Sequence, residues 1–352
     1  MKKTTIHEIA KALGIDSSTV SRALNDSERV KPRTKKRVLE KAQELGYTRN
    51  MLASNLRRNK SNTIGVIVPR ISRYFFSSTI AGIEETAYKA GYSVIICQSR
   101  EDVNRERKII SNLMANRVDG ILMSVTMETK DSSHLTECFE KGMPLVFFDR
   151  HVEGMNQTGK VVIDDVKGGF EATEHLIKQG CRKIAHFTAP LDVEIYKNRH
   201  KGYCMALEKY SIHYDKNLVY ISTLLKEDGY FLAEKIVNEC DGVDGIFSAN
   251  DFAAIGAMNF LKSIGKKIPE EIAIAGFSNE PTSAVIEPSL TTVDQSGTEI
   301  GRLACNLLLD YFKNGNTLVN NKTIMIQPKL IVRDSSQKKS NFKEMRLNIG
   351  FK

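Results

Sequence analysis

The stretch Thr5-Ile6-His7-Glu8-Ile9-Ala10-Lys11-Ala12-Leu13-Gly14-Ile15-Asp16-Ser17-Ser18-Thr19-Val20-Ser21-Arg22-Ala23-Leu24-Asn25 decides the first part of the fold. Thr5 and Glu8 have capping-box spacing, the hydroxyl serving as N-cap and the carboxylate returning to it from three residues on. Ile6, Ile9, Ala10 and Leu13 then repeat at i, i+3, i+4 and i+7, one apolar helix face. Gly14 stands where a left-handed C-cap is needed. After the turn Ile15-Asp16, Ser17–Leu24 reads as a second short helix with Val20 and Leu24 inward and small hydroxyls plus Arg22 outward. A third helix fits Arg33–Leu45, with Pro32 at its start, Val38, Ala42 and Leu45 inward, and Gly46 ending it. Two helices joined by a short glycine-containing turn form a helix-turn-helix, which lays its second helix in the DNA major groove. Ser and Thr permit close approach to the duplex, and an arginine can grip guanine O6 and N7 together.

The charge supports the same partner. Of 352 residues, 51 are Lys or Arg and 42 are Asp or Glu, a net charge of +9. Residues 1–61 hold 15 basic and 6 acidic side chains, and residues 62–352 hold 36 of each. A smaller basic excess, 5 against 1, lies in the last 18 residues. A basic head on a neutral body suits a phosphate backbone. The length suits two or three domains, and the composition is that of an ordinary globular chain. No apolar run is long enough to span a bilayer, so no membrane partner is expected. Met1-Lys2-Lys3-Thr4-Thr5 leads into no apolar h-region, so no secretory signal is expected. Six scattered cysteines without a CxxC pair point to a reduced, cytoplasmic chain and against a zinc module.

The head, Thr5–Ile15 with Ser18–Asn25 and the later Arg37-Val38-Leu39-Glu40 and Glu44-Leu45-Gly46-Tyr47, closely resembles the DNA-binding head of the lactose/galactose repressor (LacI/GalR) family of bacterial transcriptional regulators. The resemblance implies DNA contacts from Thr5, Ser17, Ser18, Thr19, Ser21, Arg22, Asn25, Arg29 and Lys31. Asn50–Arg58 is long enough for two helical turns but too short for a stable helix alone. In proteins resembling this one such a segment folds on the operator and pairs with its copy in the minor groove. Asn50, Ala53 and Leu56 match it, Leu56 as the wedge and Ala53 as the small contact residue. Arg49 departs from relatives that carry proline there.

Beyond Ser61 the pattern becomes α/β. Thr63–Val68, Tyr92–Cys97, Gly120–Ser124, Leu145–Phe148, Val161–Asp164, Lys183–Thr188, Gly245–Ser248 and Ile272–Phe277 read as buried strands alternating with helices, hence parallel sheets. Val118-Asp119-Gly120-Ile121 recurs as Val243-Asp244-Gly245-Ile246, consistent with two similar lobes. Leu290–Gln295 leads into a helix from Ser296 that should cross back to the first lobe. A ligand would sit between lobes, at the carboxyl ends of the strands.

This body, through about Ser335, is similar to the same family's effector domain and to periplasmic sugar-binding proteins. The domains expected are a head over 1–49, a hinge over 50–61, a two-lobed effector-binding and dimerisation body over 62–335, and a basic, mobile tail over 336–352. The resemblance places Tyr74, Phe75, Asp149, Arg199, Asn250, Ser278 and Gln295 against an effector, expected to be a sugar or sugar derivative. Tyr74 also suits lobe packing, and Asp251 suits a helix cap as well as a ligand contact. At Gly276-Phe277-Ser278-Asn279-Glu280 the sequence departs from relatives, which place an aspartate where Ser278 stands. The tail holds Phe342, Met345, Leu347, Ile349 and Phe351 without a sustained heptad, so a homodimer is expected rather than a tetramer.

No enzyme motif is complete. Gly154–Lys160 approaches a P-loop, but Val161 replaces the Mg²⁺-binding hydroxyl and a strand follows. Gly276–Glu280 lacks the last glycine of a nucleophile elbow. The histidines show no metal-ligand spacing. Neither catalysis, a cofactor nor a metal is expected.

Overall fold

A computed structural model describes residues 4–47, 60–152, 154–155, 158–314 and 322–338. The described chain divides into two compact units, Met1–Ser61 and Asn62–Lys352.

In the first unit, α1 (Ile6–Leu13), α2 (Ser17–Leu24) and α3 (Pro32–Glu44) form a three-helix cluster. The capping box is made: Thr5 N–H donates to Glu8 Oε2 (2.7 Å), and Glu8 N–H donates to Thr5 Oγ1 (3.4 Å). Gly14 takes φ 63°, a left-handed conformation that glycine reaches without a Cβ penalty. Ile9, Ala10, Val20, Ala23, Val30, Val38 and Ala42 form the core. Ala23 rather than Leu24 is the fully buried partner of Val20 on α2.

The second unit contains two six-stranded sheets. Lobe 1 has β1 (Thr63–Val68), β2 (Ser93–Gln98), β3 (Gly120–Met123), β4 (Leu145–Phe148), β5 (Gly159–Ile163) and β11 (Thr323–Ile326), in spatial order β11-β5-β4-β3-β1-β2. Its helices are α4 (Tyr74–Lys89), α5 (Val103–Ala115), α6 (Ser133–Glu140) and α12 (Gly297–Asn314). Lobe 2 has β6 (Ile184–Thr188), β7 (Val219–Ile221), β8 (Gly245–Ser248), β9 (Ala273–Phe277), β10 (Thr291–Asp294) and β12 (Lys329–Ile331), in order β12-β10-β9-β8-β6-β7. Its helices are α7 (Asp165–Lys178), α8 (Glu194–Lys209), α9 (Lys226–Glu239), α10 (Asp251–Ser263) and the short α11 (Pro281–Val285). All neighbouring strands run parallel except β10 and β12.

The chain passes between the lobes three times: after β5 into α7, after β10 into α12, and between β11 and β12. The crossing expected at Gln295 is therefore present. The apolar runs of the central strands are buried as parallel strands require, β3, β4 and β8 at every position, but the run expected to be buried over Tyr92–Cys97 forms edge strand β2 and leaves Ile95 and Ile96 exposed. Edge strands β7, β11 and β12 carry only the short apolar runs Val219–Ile221, Ile324–Ile326 and Leu330–Ile331 and went unread in the sequence.

The body also extends past the expected boundary at Ser335. Ser336 is buried, its hydroxyl 2.7 Å from His175 Nε2 and 2.6 Å from Thr291 Oγ1, and Lys338 N–H donates to Gln179 Oε1. Ser336–Lys338 thus belong to lobe 2 because their polar atoms are taken up there. The rest of the expected tail, 339–352, lies outside the described residues.

Candidate functional site

Two surfaces carry the residues singled out from sequence. On α2 of the head, Ser18, Arg22 and Asn25 are exposed at i, i+4 and i+7 and so share one helix face. Thr5, Arg29 and Lys31 are exposed as well, and Ser17, Thr19 and Ser21 are half-buried. Ser17 Oγ lies 2.9 Å from His7 Nδ1, which ties the start of α2 to α1. Asn25 donates from Nδ2 to the Ser21 carbonyl (2.7 Å) and so also closes its own helix. Asn50, Ala53 and Leu56 lie outside the described residues.

The second surface is a cavity of about 270 Å³ between the lobes. Phe75, Asp149, Arg199, Asn250, Ser278 and Gln295 all line it. Tyr74 does not: it is 44% exposed at the start of α4, while its N–H donates to Glu280 Oε1. One position along the helix turns a side chain by about 100°, so Phe75 faces inward where Tyr74 cannot.

Arg199, Asp149, Asn250 and Ser278 are held from behind. Arg199, only 3% exposed, donates from Nε to Asp165 Oδ1 (2.7 Å) and from Nη1 to the Ala249 carbonyl (2.8 Å). Its guanidinium lies 3.8 Å from the Phe277 ring centroid. The seam between α7 and α8 sets this geometry, since a Cβ on Gly169 would fall 2.2 Å from the Arg199 carbonyl oxygen and one on Gly202 2.1 Å from that of Val166. Burial pushes the Asp165 carboxyl up to about 6, although Arg199 pulls it the other way.

Asp149 ends β4 with φ 62° and accepts from Ser124 Oγ (3.1 Å). Burial raises its carboxyl above the usual range, against Arg150 and Arg199. Asn250 caps α10: its Oδ1 accepts from Ala253 N–H and its Nδ2 donates to the Leu224 carbonyl. Ser278 sits at φ 114°, a strained conformation for a residue with a side chain, and its N–H donates to the Val293 carbonyl.

Asp251, which suited either a cap or a ligand contact, is structural. It is fully buried and accepts from Thr292 Oγ1 (2.6 Å), Ser283 Oγ (2.8 Å) and Glu280 N–H (2.8 Å), pinning α10 to β10 and α11.

Several lining residues went unremarked in the sequence. Arg150 donates from Nη1 to both oxygens of Glu101, at 3.0 Å each. Arg73 stacks 3.9 Å from the Phe252 ring centroid, a contact from lobe 1 to lobe 2. Glu280 is pushed up to about 7 by burial and by neighbouring Asp251. The available signals were positional. Arg150 follows Asp149, and Arg73 lies in the loop after β1, at the carboxyl ends of the strands where such folds bind ligands.

Beside the cavity a second space of about 380 Å³ opens between the lobes. Lys130 meets Asp192 across it at 2.9 Å, and His151 meets Glu194 at 2.9 Å.

A model of bacterial regulatory proteins of the lacI family matches residues 5–50, and a model of periplasmic binding proteins and the sugar binding domain of the LacI family matches residues 61–332. The chain belongs to the LacI family. Its members are transcriptional regulators rather than enzymes, and this one is a DNA-binding regulator with a periplasmic-binding-protein-like effector domain. Among similar proteins is the HTH-type transcriptional regulator DegA of Bacillus subtilis, 32% identical over 95% of this chain and 98% of its own length. The solved CelR–cellobiose complex is 26% identical with TM-score 0.72, covering 95% of this chain and all of its own. A lac repressor dimer bound to operator and the anti-inducer ONPF shares the fold at 24% identity and TM-score 0.84, covering 96% of this chain and all of its own. As a LacI-family chain, it places six of the seven expected effector residues around one cavity.

Proposed function

We propose that the chain binds a palindromic operator as a homodimer in the bacterial cytoplasm and senses a small polyhydroxyl molecule, a sugar or sugar derivative, between its lobes. The observation that carries this reading is the interlobe cavity, to which both lobes contribute Phe75, Asp149, Arg199, Asn250, Ser278 and Gln295. Carboxylate, amide and guanidinium groups beside aromatic rings suit a ligand dense in hydroxyls, and a cavity of this size suits a small one. Effector bound to both lobes favours one lobe arrangement and shifts operator affinity by the difference in its affinity for the two arrangements.

Residues 1–49 serve as the head, 50–61 as the hinge and 62–335, with Ser336–Lys338 packed onto it, as the sensor, followed by a basic tail. The DNA-facing set is Thr5, Ser17, Ser18, Thr19, Ser21, Arg22, Asn25, Arg29 and Lys31, with Asn50, Ala53 and Leu56 in the hinge. Exposed apolar side chains on the body support pairing of two copies. Ile95 and Ile96 lie on edge strand β2, with Tyr88 75% exposed beside them in sequence; Phe231 is 63% and Val285 81% exposed on lobe 2. The test is to select an operator from random duplexes with the full-length chain, then titrate a sugar panel against the complex by fluorescence anisotropy and weigh the complex by light scattering. A two-fold symmetric site, a dimer mass and a sugar that shifts affinity are expected. A monomer on an asymmetric site, or sugar binding that leaves DNA affinity unchanged, would reject the reading.

A further inference from the structure

We propose that the effector carries an oxyanion, a carboxylate or phosphate group, seated against Arg73 and Arg150 of lobe 1. This rests on the interlobe cavity being the effector site. It follows from counting which polar atoms around that cavity are already satisfied.

Several of the acceptors are used. Both Glu101 oxygens take Arg150 Nη1, and Oε2 also takes the Met127 N–H. Asp149 Oδ2 takes the Ser124 hydroxyl, and Glu280 Oε1 takes the Tyr74 N–H. Arg199 is neutralised by Asp165.

The donors are not. Arg150 is 8% exposed, yet its Nε–H is buried without a hydrogen-bond partner. The Asp149 carboxylate oxygen lies 3.9 Å from that nitrogen, beyond hydrogen-bond reach. Arg73 is half-buried, and its guanidinium makes no hydrogen bond or ion pair among the described residues. Stacking on Phe252 leaves the N–H edge of the guanidinium unused. Both arginines line the same cavity.

A buried guanidinium without an acceptor is costly, and proteins remove that cost with a partner. A neutral polyol brings a donor with each acceptor, so it meets an unpaired guanidinium edge with only part of its polar surface. An ionised carboxylate or phosphate brings acceptors only and matches the guanidinium fork. Glu280, the carboxylate facing Arg73, is held near the point of taking up a proton at neutral pH, which reduces its repulsion of such a group.

The test uses the full-length chain at fixed ionic strength in a zwitterionic buffer. Inorganic phosphate, D-glucose 6-phosphate, D-glucuronate and D-glucose are titrated by calorimetry into wild type, Arg73→Gln, Arg73→Lys and Asp149→Asn. At least one anionic probe is expected to bind tenfold or more tightly than D-glucose. Arg73→Gln should weaken it ten- to a hundredfold and Arg73→Lys by less, because the lysine keeps the charge and loses the fork. Preference for the phosphates over glucuronate assigns a phosphorylated effector, and the reverse assigns a sugar acid. If no anionic probe binds, or D-glucose binds equally well and ignores Arg73→Gln, the oxyanion is wrong. In the second case a loss of D-glucose binding in Asp149→Asn would leave the cavity as the effector site. Binding unmoved by both Arg73→Gln and Asp149→Asn lies elsewhere and overturns the effector site itself. Should Arg73→Gln fail to fold, Arg73→Lys carries the same comparison.

Discussion

Arg22 and Arg199 were both expected to touch a ligand, and the structure treats them in opposite ways. Arg22 is exposed on α2 over a core of small apolar side chains, so the head folds without it. Arg199 is 3% exposed and joins α8 to Asp165 on α7, to the Ala249 carbonyl and to the Phe277 ring. In its proposed DNA-reading role Arg22 is left for the partner alone. In its proposed sensor role Arg199 is preorganised before any ligand arrives, so that ligand recognition and lobe stability depend on the same group.

Removing Arg199 should therefore have the largest effect. Arg199→Ala leaves Asp165 buried and unpaired, and a loss of about 3–5 kcal/mol in urea unfolding is expected. A variant that unfolds like wild type but is deaf to effector would make Arg199 a pure ligand contact and erase the contrast. Next comes the seam that positions it. Gly202→Ala places a methyl against the Val166 carbonyl and should cost about 1–3 kcal/mol while weakening effector response.

Arg22→Ala should leave the melting temperature unchanged but lose about 1–3 kcal/mol of discrimination at one base pair in each half-site. Lys31→Ala should instead weaken all duplexes alike and lower the salt slope by about 1. Equal losses on operator and random DNA in Arg22→Ala would make it a phosphate contact.

The smallest effect concerns pH. Folding raises the Glu280 carboxyl from its ordinary 4.5 to about 7, so the folded state holds the proton more tightly than the unfolded one. The resulting stabilisation is full below about 4.5 and is lost as pH rises through 7. Glu280→Gln keeps an acceptor for the Tyr74 N–H and removes the charge. Melting curves between pH 5 and 8 should flatten, with the variant a few degrees more stable at pH 8. An unchanged slope would place the titration on other groups, Asp165 first.

The head was almost fully legible because its determinants are local: Thr5 and Glu8 are three residues apart, and Gly14 closes the same helix. The central strands were legible as apolar runs. Three of the four edge strands were not, because Val219–Ile221, Thr323–Ile326 and Lys329–Ile331 are short and only partly buried, whereas edge strand β2 was legible in its apolar run. The cavity was half legible. Asp149, Arg199 and Asn250 are marked by short motifs, whereas the pairing of Arg150 with Glu101, 49 residues away, exists only once the lobe has closed. Tyr74 and Phe75 are adjacent, and only the rotation of α4 decides between them.

The threefold passage of the chain between the lobes also governs the order of synthesis. Lobe 1 begins at β1 but needs α12 and β11 to cover and complete its sheet, and these follow the main run of lobe 2. On the ribosome the head, contiguous and early, has all of its core residues long before lobe 1 does. A truncated transcript or a stalled ribosome would thus release a head able to fold, joined to a sensor that cannot. A chain cut before α12 keeps every core residue of the head but lacks the helix that covers the lobe 1 sheet, and so cannot assemble the interlobe cavity.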